Sequence, residues 1–216
     1  MPKLLQSLRV GMRAIRQSIV RVGRSVESAL GDWLLNIRTR GALPLGRLRG
    51  LHGDAVDYDT VTHMAIRKVI RLVSPSAHDI VYDLGCGKGR VVCHFARYPA
   101  RKIIGIEISE ALCDIARANG RRLRHRRSPI EIIQSDAAHA DVGGGTIYYF
   151  YNPFGQETLL DVLRNIVRTH DFAKQTVTII YMNAVATSVF EQFPDFHIVW
   201  DYRRSNGQRV IIYRSR

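Results

Sequence analysis

The chain has 216 residues, 46% of them hydrophobic, which suits one ordinary domain with an appendage and excludes two full domains. It contains no run of about 18 apolar residues to cross a membrane as a helix, and Cys86, Cys93 and Cys113 show neither metal-ligand spacing nor an even disulfide framework. The net charge is +13, and ten Lys/Arg against two acids in residues 1–50 place most of that excess at the amino-terminal end.

Leu5, Leu8, Met12, Ile15, Ile19, Val22, Val26, Ala29 and Trp33 recur in steps of three and four, which predicts one stripe of an amphipathic helix over 3–31. Arg9, Arg13, Arg16 and Arg24 fall beside or behind that stripe, with Gly11 and Gly23 as weak points. RTRGALPLGRLRGLHGD (38–54) reads as a linker. The chain is therefore expected to divide into a basic helix and linker, 1–54, and a second unit, 55–216.

From residue 55 onward helices and strands alternate. A helix is expected over Thr60–Leu72, then a strand at 79–85 (DIVYDLG) and a helix from 90. A second strand at 102–108 leads into a helix over 109–123, with Ser109 placed to cap it. Strands follow at 130–136, 146–152 and 176–182, with a helix at 157–170. Two final strands flank Ser205-Asn206-Gly207, a hairpin turn signal. The pattern predicts an α/β fold: a mostly parallel sheet with helices on both faces, closed by an antiparallel hairpin.

Ligands in such sheets sit at the carboxyl ends of the strands. The first strand runs into VYDLGCGKGR (81–90), whose glycines are spaced G-x-G-x-G rather than the G-x-G-x-x-G of dinucleotide-binding folds. Asp83, Glu107 and Asp136 end three consecutive strands, so one rim carries three carboxylates. An acidic rim suits a cationic ligand and repels a pyrophosphate. The eight histidines form no i, i+4 pair and no HExxH, which gives a bound metal little sequence support.

Residues 55–216 resemble a class I, seven-strand S-adenosylmethionine-dependent methyltransferase. The matching segments are VYDLGCGKGR, IIGIEIS, QSDA and YYFYNPFG, in family order and spacing, with the terminal hairpin as strands six and seven. The resemblance implies S-adenosylmethionine as cofactor and S-adenosylhomocysteine as product. It places the cofactor against Asp83, Leu84, Gly85, Cys86, Gly87, Gly89, Glu107, Ile108, Asp136, Ala137 and Asn152. Within that set, the glycines pass under the methionine and ribose, and Glu107 holds the ribose hydroxyls. Asp136 with the Ala137 backbone meets the adenine, and Asp83 orients the loop and the ammonium group.

Asn152-Pro153-Phe154 resembles the Asn/Asp-Pro-Pro-Tyr/Phe of amino-group methyltransferases, without the second proline. That likeness implies a nitrogen acceptor received by Asn152 and the following carbonyl, with Phe154 packed on it. DYDTVTHMAIRKVIR (57–71) resembles the Tyr-x-Pro-Thr segment of some protein lysine methyltransferases; Tyr58 and Thr60 match, and Asp59 replaces the proline. Tyr58 is expected to close over the cofactor or simply to start a helix, and His139 to be a loop residue. A protein acceptor is favoured over nucleic acid or a small amine, with a non-catalytic binding module as the alternative class.

Two basic stretches are partner candidates. RRLRHRR (121–127) should lie at the amino ends of the strands, as a solvated face or docking patch. The basic helix has several readings: a lid over the domain, a homodimer contact, or a surface for nucleic acid or anionic lipid. Its Arg-rich, acid-poor start also resembles a mitochondrial transit peptide. The expectation is that the stripe packs on the domain or on a second subunit, in a cytoplasmic or membrane-peripheral protein with buried free thiols.

Overall fold

The computed structural model describes residues 2–41, 61–151, 154–204 and 206–216, and of residues 2–17 the backbone alone. Helices α1 (Pro2–Leu35) and α2 (His63–Val73) precede strand β1 (Ile80–Leu84). Then follow α3 (Arg90–Phe95), β2 (Lys102–Glu107), α4 (Glu110–Arg122), β3 (Ile130–Gln134), β4 (Ile147–Tyr151) and α5 (Gln156–Arg168). The chain closes with β5 (Thr178–Met182), a 3-10 turn (Thr187–Gln192), β6 (Phe196–Arg203) and β7 (Arg209–Ser215).

The seven strands form one sheet in the order β3-β2-β1-β4-β5-β7-β6. Strands β1 to β5 run parallel, and β7 pairs antiparallel with β5 and β6. The inner strands β4 and β5 are almost wholly buried runs of Ile, Tyr, Phe and Met, as strands covered on both faces must be. Edge strand β6 is mostly exposed and carries His197, Asp201 and Arg203, polar side chains that discourage pairing with another sheet. Ile66, Phe95, Ile103 and Tyr149 lie in the core on the α2–α3–α4 side. Leu84, Phe150, Leu163 and Tyr181 lie in the core on the α5 side. The α/β fold with its closing antiparallel hairpin is the one expected, and all three cysteines are buried free thiols.

Helix α1 runs unbroken through Gly11 and Gly23 and past the predicted end at 31. It stops where Asn36 turns left-handed (φ 56) and the Ile37 N–H donates back to Asp32 O at 2.9 Å. From Ile19 onward, where side chains are described, its orientation corrects one of the two expectations, that the stripe packs on the domain. Ile19, Val22, Val26 and Trp33 are 66%, 63%, 60% and 67% exposed. The face turned to the domain is instead polar or small until Leu35, which enters the core.

On that face Glu27 accepts from the Met64 N–H at 2.8 Å, capping the first turn of α2. Ser28 accepts from Arg90 Nη2 at 2.6 Å. Gly31 leaves no room for a Cβ beside the His63 ring, and Asp32 and Leu35 are buried. The stretch 121–127 lies ahead of β3, at the amino ends as predicted. There it meets the end of α1: Asn36 Nδ2 donates to Arg122 O, and the Arg124 N–H to Leu35 O. Among the described residues, no helix is long and apolar enough to cross a membrane.

Candidate functional site

Strand order reverses between β1 and β4, the point where sheets of this kind take ligands at the strands' carboxyl ends. The glycine loop follows β1 at that point. Gly85, Gly87 and Gly89 have φ of 78°, 53° and 77°, a region that side chains other than glycine enter only at a cost. Gly89 also caps α3, and a Cβ there would stand 3.0 Å from Ala116 Cβ on α4.

The loop's N–H groups decide what it can hold. Those of Gly85 and Cys86 both donate to Ile106 O at 2.9 Å, and that of Gly89 to Cys86 O at 2.8 Å. The Gly87 N–H donates to Glu107 Oε2 at 2.9 Å. A pyrophosphate needs such donors turned outward. Here these four are spent within the protein, so the loop allows close approach without forming an anion nest.

The acids point the same way. Asp83, on β1, is 2% exposed, and its Oδ2 has no hydrogen-bond partner. Burial, and then the charge of Glu107, push its carboxyl well above the usual range. Glu107 is 7% exposed and also accepts from the Ser109 N–H at 2.9 Å. Burial raises its pKa, and the Ser109, Gly87 and Ile108 N–H groups pull it back. Two buried acids beside a glycine-rich loop fit a cationic group, and the ammonium and sulfonium of S-adenosylmethionine supply one. Leu84 and Cys86 are buried and can offer such a ligand little beyond backbone, whereas Ile108, at the end of β2, is half-exposed on the rim.

Register places the third acid. Glu107 pairs with Gln134, so Asp136 stands two residues beyond on the neighbouring strand. Its Oδ1 accepts from the Ala138 N–H at 2.9 Å, and Oδ2 lies 3.1 Å from His139 Nδ1. Asp136 thus shapes the turn that buries Ala137, and His139 is an exposed loop residue paired to it.

Three features escaped the sequence reading. Tyr149 pairs with Asp83 across β4 and β1, and its hydroxyl is buried without a partner, a second unsatisfied polar atom beside the cradle. Lys88 and Arg90 are buried although both flank Gly89 in a loop that reads as polar. Lys88 Nζ donates to Arg40 O and Gly41 O at 2.9 and 2.6 Å. Arg90 donates to Thr39 Oγ1, Val61 O and Ser28 Oγ at 2.6, 2.9 and 2.6 Å, and lies 3.6 Å from Asp32 Oδ1. Asn119 of α4 clamps the Arg38 backbone from both sides and donates to Lys88 O. The end of α1 and residues 37–41 therefore brace the glycine loop from behind.

Asp32 centres this brace. It accepts from the Thr39 N–H and hydroxyl at 2.7 Å each, and His63 Nε2 lies 3.2 Å away. Burial works to raise its pKa, but His63, Thr39 and Arg90 outweigh that and hold it below the ordinary value. His63 Nδ1 meets His94 Nε2 at 2.7 Å, and burial, reinforced by His63 and neighbouring arginines, holds His94 well below the usual imidazole range.

On the acceptor side, Tyr58, Asn152 and Pro153 lie outside the described residues. Phe154 is half-buried, its ring 6.1 Å from that of Phe150, just before the α5 cap Gly155. A separate cavity of about 410 Å³ between α1, α2 and the hairpin is lined by Glu27, Met64, Met182, Trp200 and Tyr202, with Lys68 Nζ 4.0 Å from the Tyr202 ring centroid. It includes none of the cradle residues.

Comparison with known proteins agrees with this geometry. Residues 81–171 match a family described as a methyltransferase domain. A protein-lysine N-methyltransferase of Saccharolobus islandicus is 35% identical over 65 residues, 30% of this chain, and the match spans 40% of that relative's length. The fold is similar to an RNA methyltransferase from Salinibacter ruber in complex with S-adenosyl-L-homocysteine (TM-score 0.52, 22% identity, 73% of this chain and 92% of that one). It is also similar to the magnesium protoporphyrin IX methyltransferase of Synechocystis with bound SAM (TM-score 0.55, 15% identity, 79% and 89%). Residues 81–171, which take in the glycine loop and strands β1 to β4, thus match a methyltransferase domain, and the sheet that carries them has the fold of S-adenosylmethionine-dependent methyltransferases.

Proposed function

We propose that this protein transfers a methyl group from S-adenosylmethionine to a nitrogen acceptor, with a protein side chain such as lysine favoured over RNA, DNA or a small amine. The observation that supports it most is the glycine loop with its N–H groups spent inward beside two buried acids, Asp83 and Glu107. S-adenosylmethionine supplies the methyl group on its sulfonium. In this reading Asp83 faces the ammonium, Glu107 the ribose hydroxyls, and Ile108, Asp136 and Ala137 the adenine. Gly85, Gly87 and Gly89 let the ligand approach, with Leu84 and Cys86 as backbone walls.

Methyl transfer is an in-line displacement, so position and exclusion of water do most of the catalysis. An ammonium with a pKa of about 10.4 must first lose its proton, which an apolar, carbonyl-lined site favours. Asn152 and the Pro153 carbonyl are assigned to orient the acceptor nitrogen, with Phe154 packed on it and Tyr58 closing the site. The lysine assignment draws on the Asn152-Pro153-Phe154 sequence and on the name of the S. islandicus relative. The test is incubation of the full chain with methyl-labelled cofactor and a cell lysate, followed by protease or nuclease. Label removed by protease alone supports the protein assignment; label removed by nuclease alone replaces it with nucleic acid. No transfer to any fraction would favour a binding module that keeps the fold.

A further inference from the structure

We propose that α1 docks this protein on an anionic lipid surface, its outward apolar stripe entering the headgroup boundary while its arginines meet the lipid phosphates.

One face of α1 is already occupied. Glu27, Ser28 and Asp32 are committed to Met64 N, Arg90 and Thr39, and Gly31 lies tight against His63. The helix cannot roll its stripe inward without breaking those bonds. Ile19, Val22, Val26, Leu30 and Trp33 are therefore held facing out, each more than half exposed. The spacing of that stripe continues in the sequence back through Ile15, Met12, Leu8 and Leu5, along a helix of 34 residues, or about 50 Å. The described part of that strip, Ile19 to Trp33, is exposed to water, and an exposed apolar strip marks a contact surface.

Charge selects the occupant. Residues 2–26 carry Lys3, Arg9, Arg13, Arg16, Arg21 and Arg24 and no acid, and Arg21 and Arg24 are exposed. A second copy of α1 laid on the stripe would set arginine beside arginine with no carboxylate to answer it, whereas paired helices carry complementary flanking charges. Nucleic acid would answer the arginines but gain nothing from outward Ile, Val and Trp side chains. An anionic bilayer answers both: apolar side chains enter the acyl boundary, arginines meet phosphates, and Trp33 sits at the depth that tryptophan favours.

The test is co-sedimentation of the full chain with vesicles of phosphatidylcholine alone and of phosphatidylcholine mixed with phosphatidylglycerol. Binding to the mixed vesicles should be at least about tenfold tighter and should weaken as salt rises. The Trp33 emission should shift to shorter wavelength on binding, a shift absent in Trp33→Phe. The triple variant Ile19→Ser, Val22→Ser, Val26→Ser should lose vesicle binding while keeping its affinity for S-adenosylhomocysteine, which shows that the domain is folded. Three results would overturn the proposal. One is no binding to anionic vesicles. Another is a dimer in solution that the triple variant converts to monomer. The third is salt-dependent RNA binding, indifferent to the serine substitutions, without vesicle binding.

Discussion

Glu107 accepts the Gly87 N–H at 2.9 Å, so the acid that ends β2 is bonded to the middle of the glycine loop that follows β1. The carboxylate assigned to the ribose therefore also fixes the shape of the cradle, and its second oxygen holds the Ser109 N–H at the start of α4.

Glu107→Ala should lower S-adenosylhomocysteine affinity by at least about tenfold, since charge-assisted hydrogen bonds are worth roughly 1.5–3 kcal/mol each. It should also lower the melting temperature, because two buried N–H groups lose their acceptor. Glu107→Gln keeps one carbonyl oxygen and should recover part of the stability but less of the affinity. Calorimetry and thermal melts on both variants separate the two roles. Unchanged affinity in folded Glu107→Ala would remove this residue from the site.

Asp83→Asn should do the opposite to stability. The Asp83 pKa is raised by burial and by Glu107, so its folded form favours the protonated state. Such a group stabilises the fold below the ordinary carboxylate pKa, and that contribution is lost as pH rises through the higher folded value. At neutral pH without cofactor, Asn should therefore raise the melting temperature, each kcal/mol recovered giving about 2–4 °C in a chain of this size. It should weaken cofactor binding at the same time. Wild-type affinity should rise with pH as Asp83 gives up its proton to face a cation, and the variant should lose that dependence. A variant both less stable and equally tight would contradict the assignment.

The parts of this site that sequence reveals are those encoded locally. Asp83, Glu107 and Asp136 each stand within two residues of a strand's end, and the glycines between Leu84 and Arg90 have no other economical use. Arg90 and Lys88 could not be read that way. Their partners Ser28, Thr39 and Arg40 lie 62, 51 and 48 residues away, and a charged pair in a polar loop ordinarily faces solvent. The direction of α1 was hidden for a related reason. Three-and-four spacing reveals that an apolar face exists but not where it points. Here the polar partners of Glu27, Ser28 and Asp32 on the domain decide it.

Asn152→Ala should slow methyl transfer while leaving S-adenosylhomocysteine affinity nearly intact, because Asn152 is assigned mainly to the acceptor. A fall in kcat/KM with unchanged cofactor affinity is the expected result. Equal loss of both would make this segment a wall of the cofactor pocket, and full activity would remove it from the chemistry.

Arg90→Ala tests the brace behind the loop. The guanidinium is 4% exposed and joins Ser28 of α1, Thr39 and Val61 to the first turn of α3, one residue after Gly89. Removing it leaves Asp32 buried beside His63 with one positive neighbour fewer. Loss of one partner from a buried charged set costs about 3–5 kcal/mol. Ser28→Ala, which deletes a single hydrogen bond, should cost about 1 kcal/mol. The Asp32 pKa is held below its ordinary value, so the stability it provides is present at neutral pH and is lost as pH falls through the carboxylate range. The gap in melting temperature between wild type and Arg90→Ala should therefore narrow in acid, while the lost bonds to Thr39, Val61 and Ser28 keep it open. Because the brace abuts Gly89, Arg90→Ala should also weaken S-adenosylhomocysteine binding, although no part of Arg90 is assigned to the ligand. Denaturant melts across pH together with calorimetry check both effects, and a large stability loss with cofactor affinity untouched would show that the cradle holds its shape without α1.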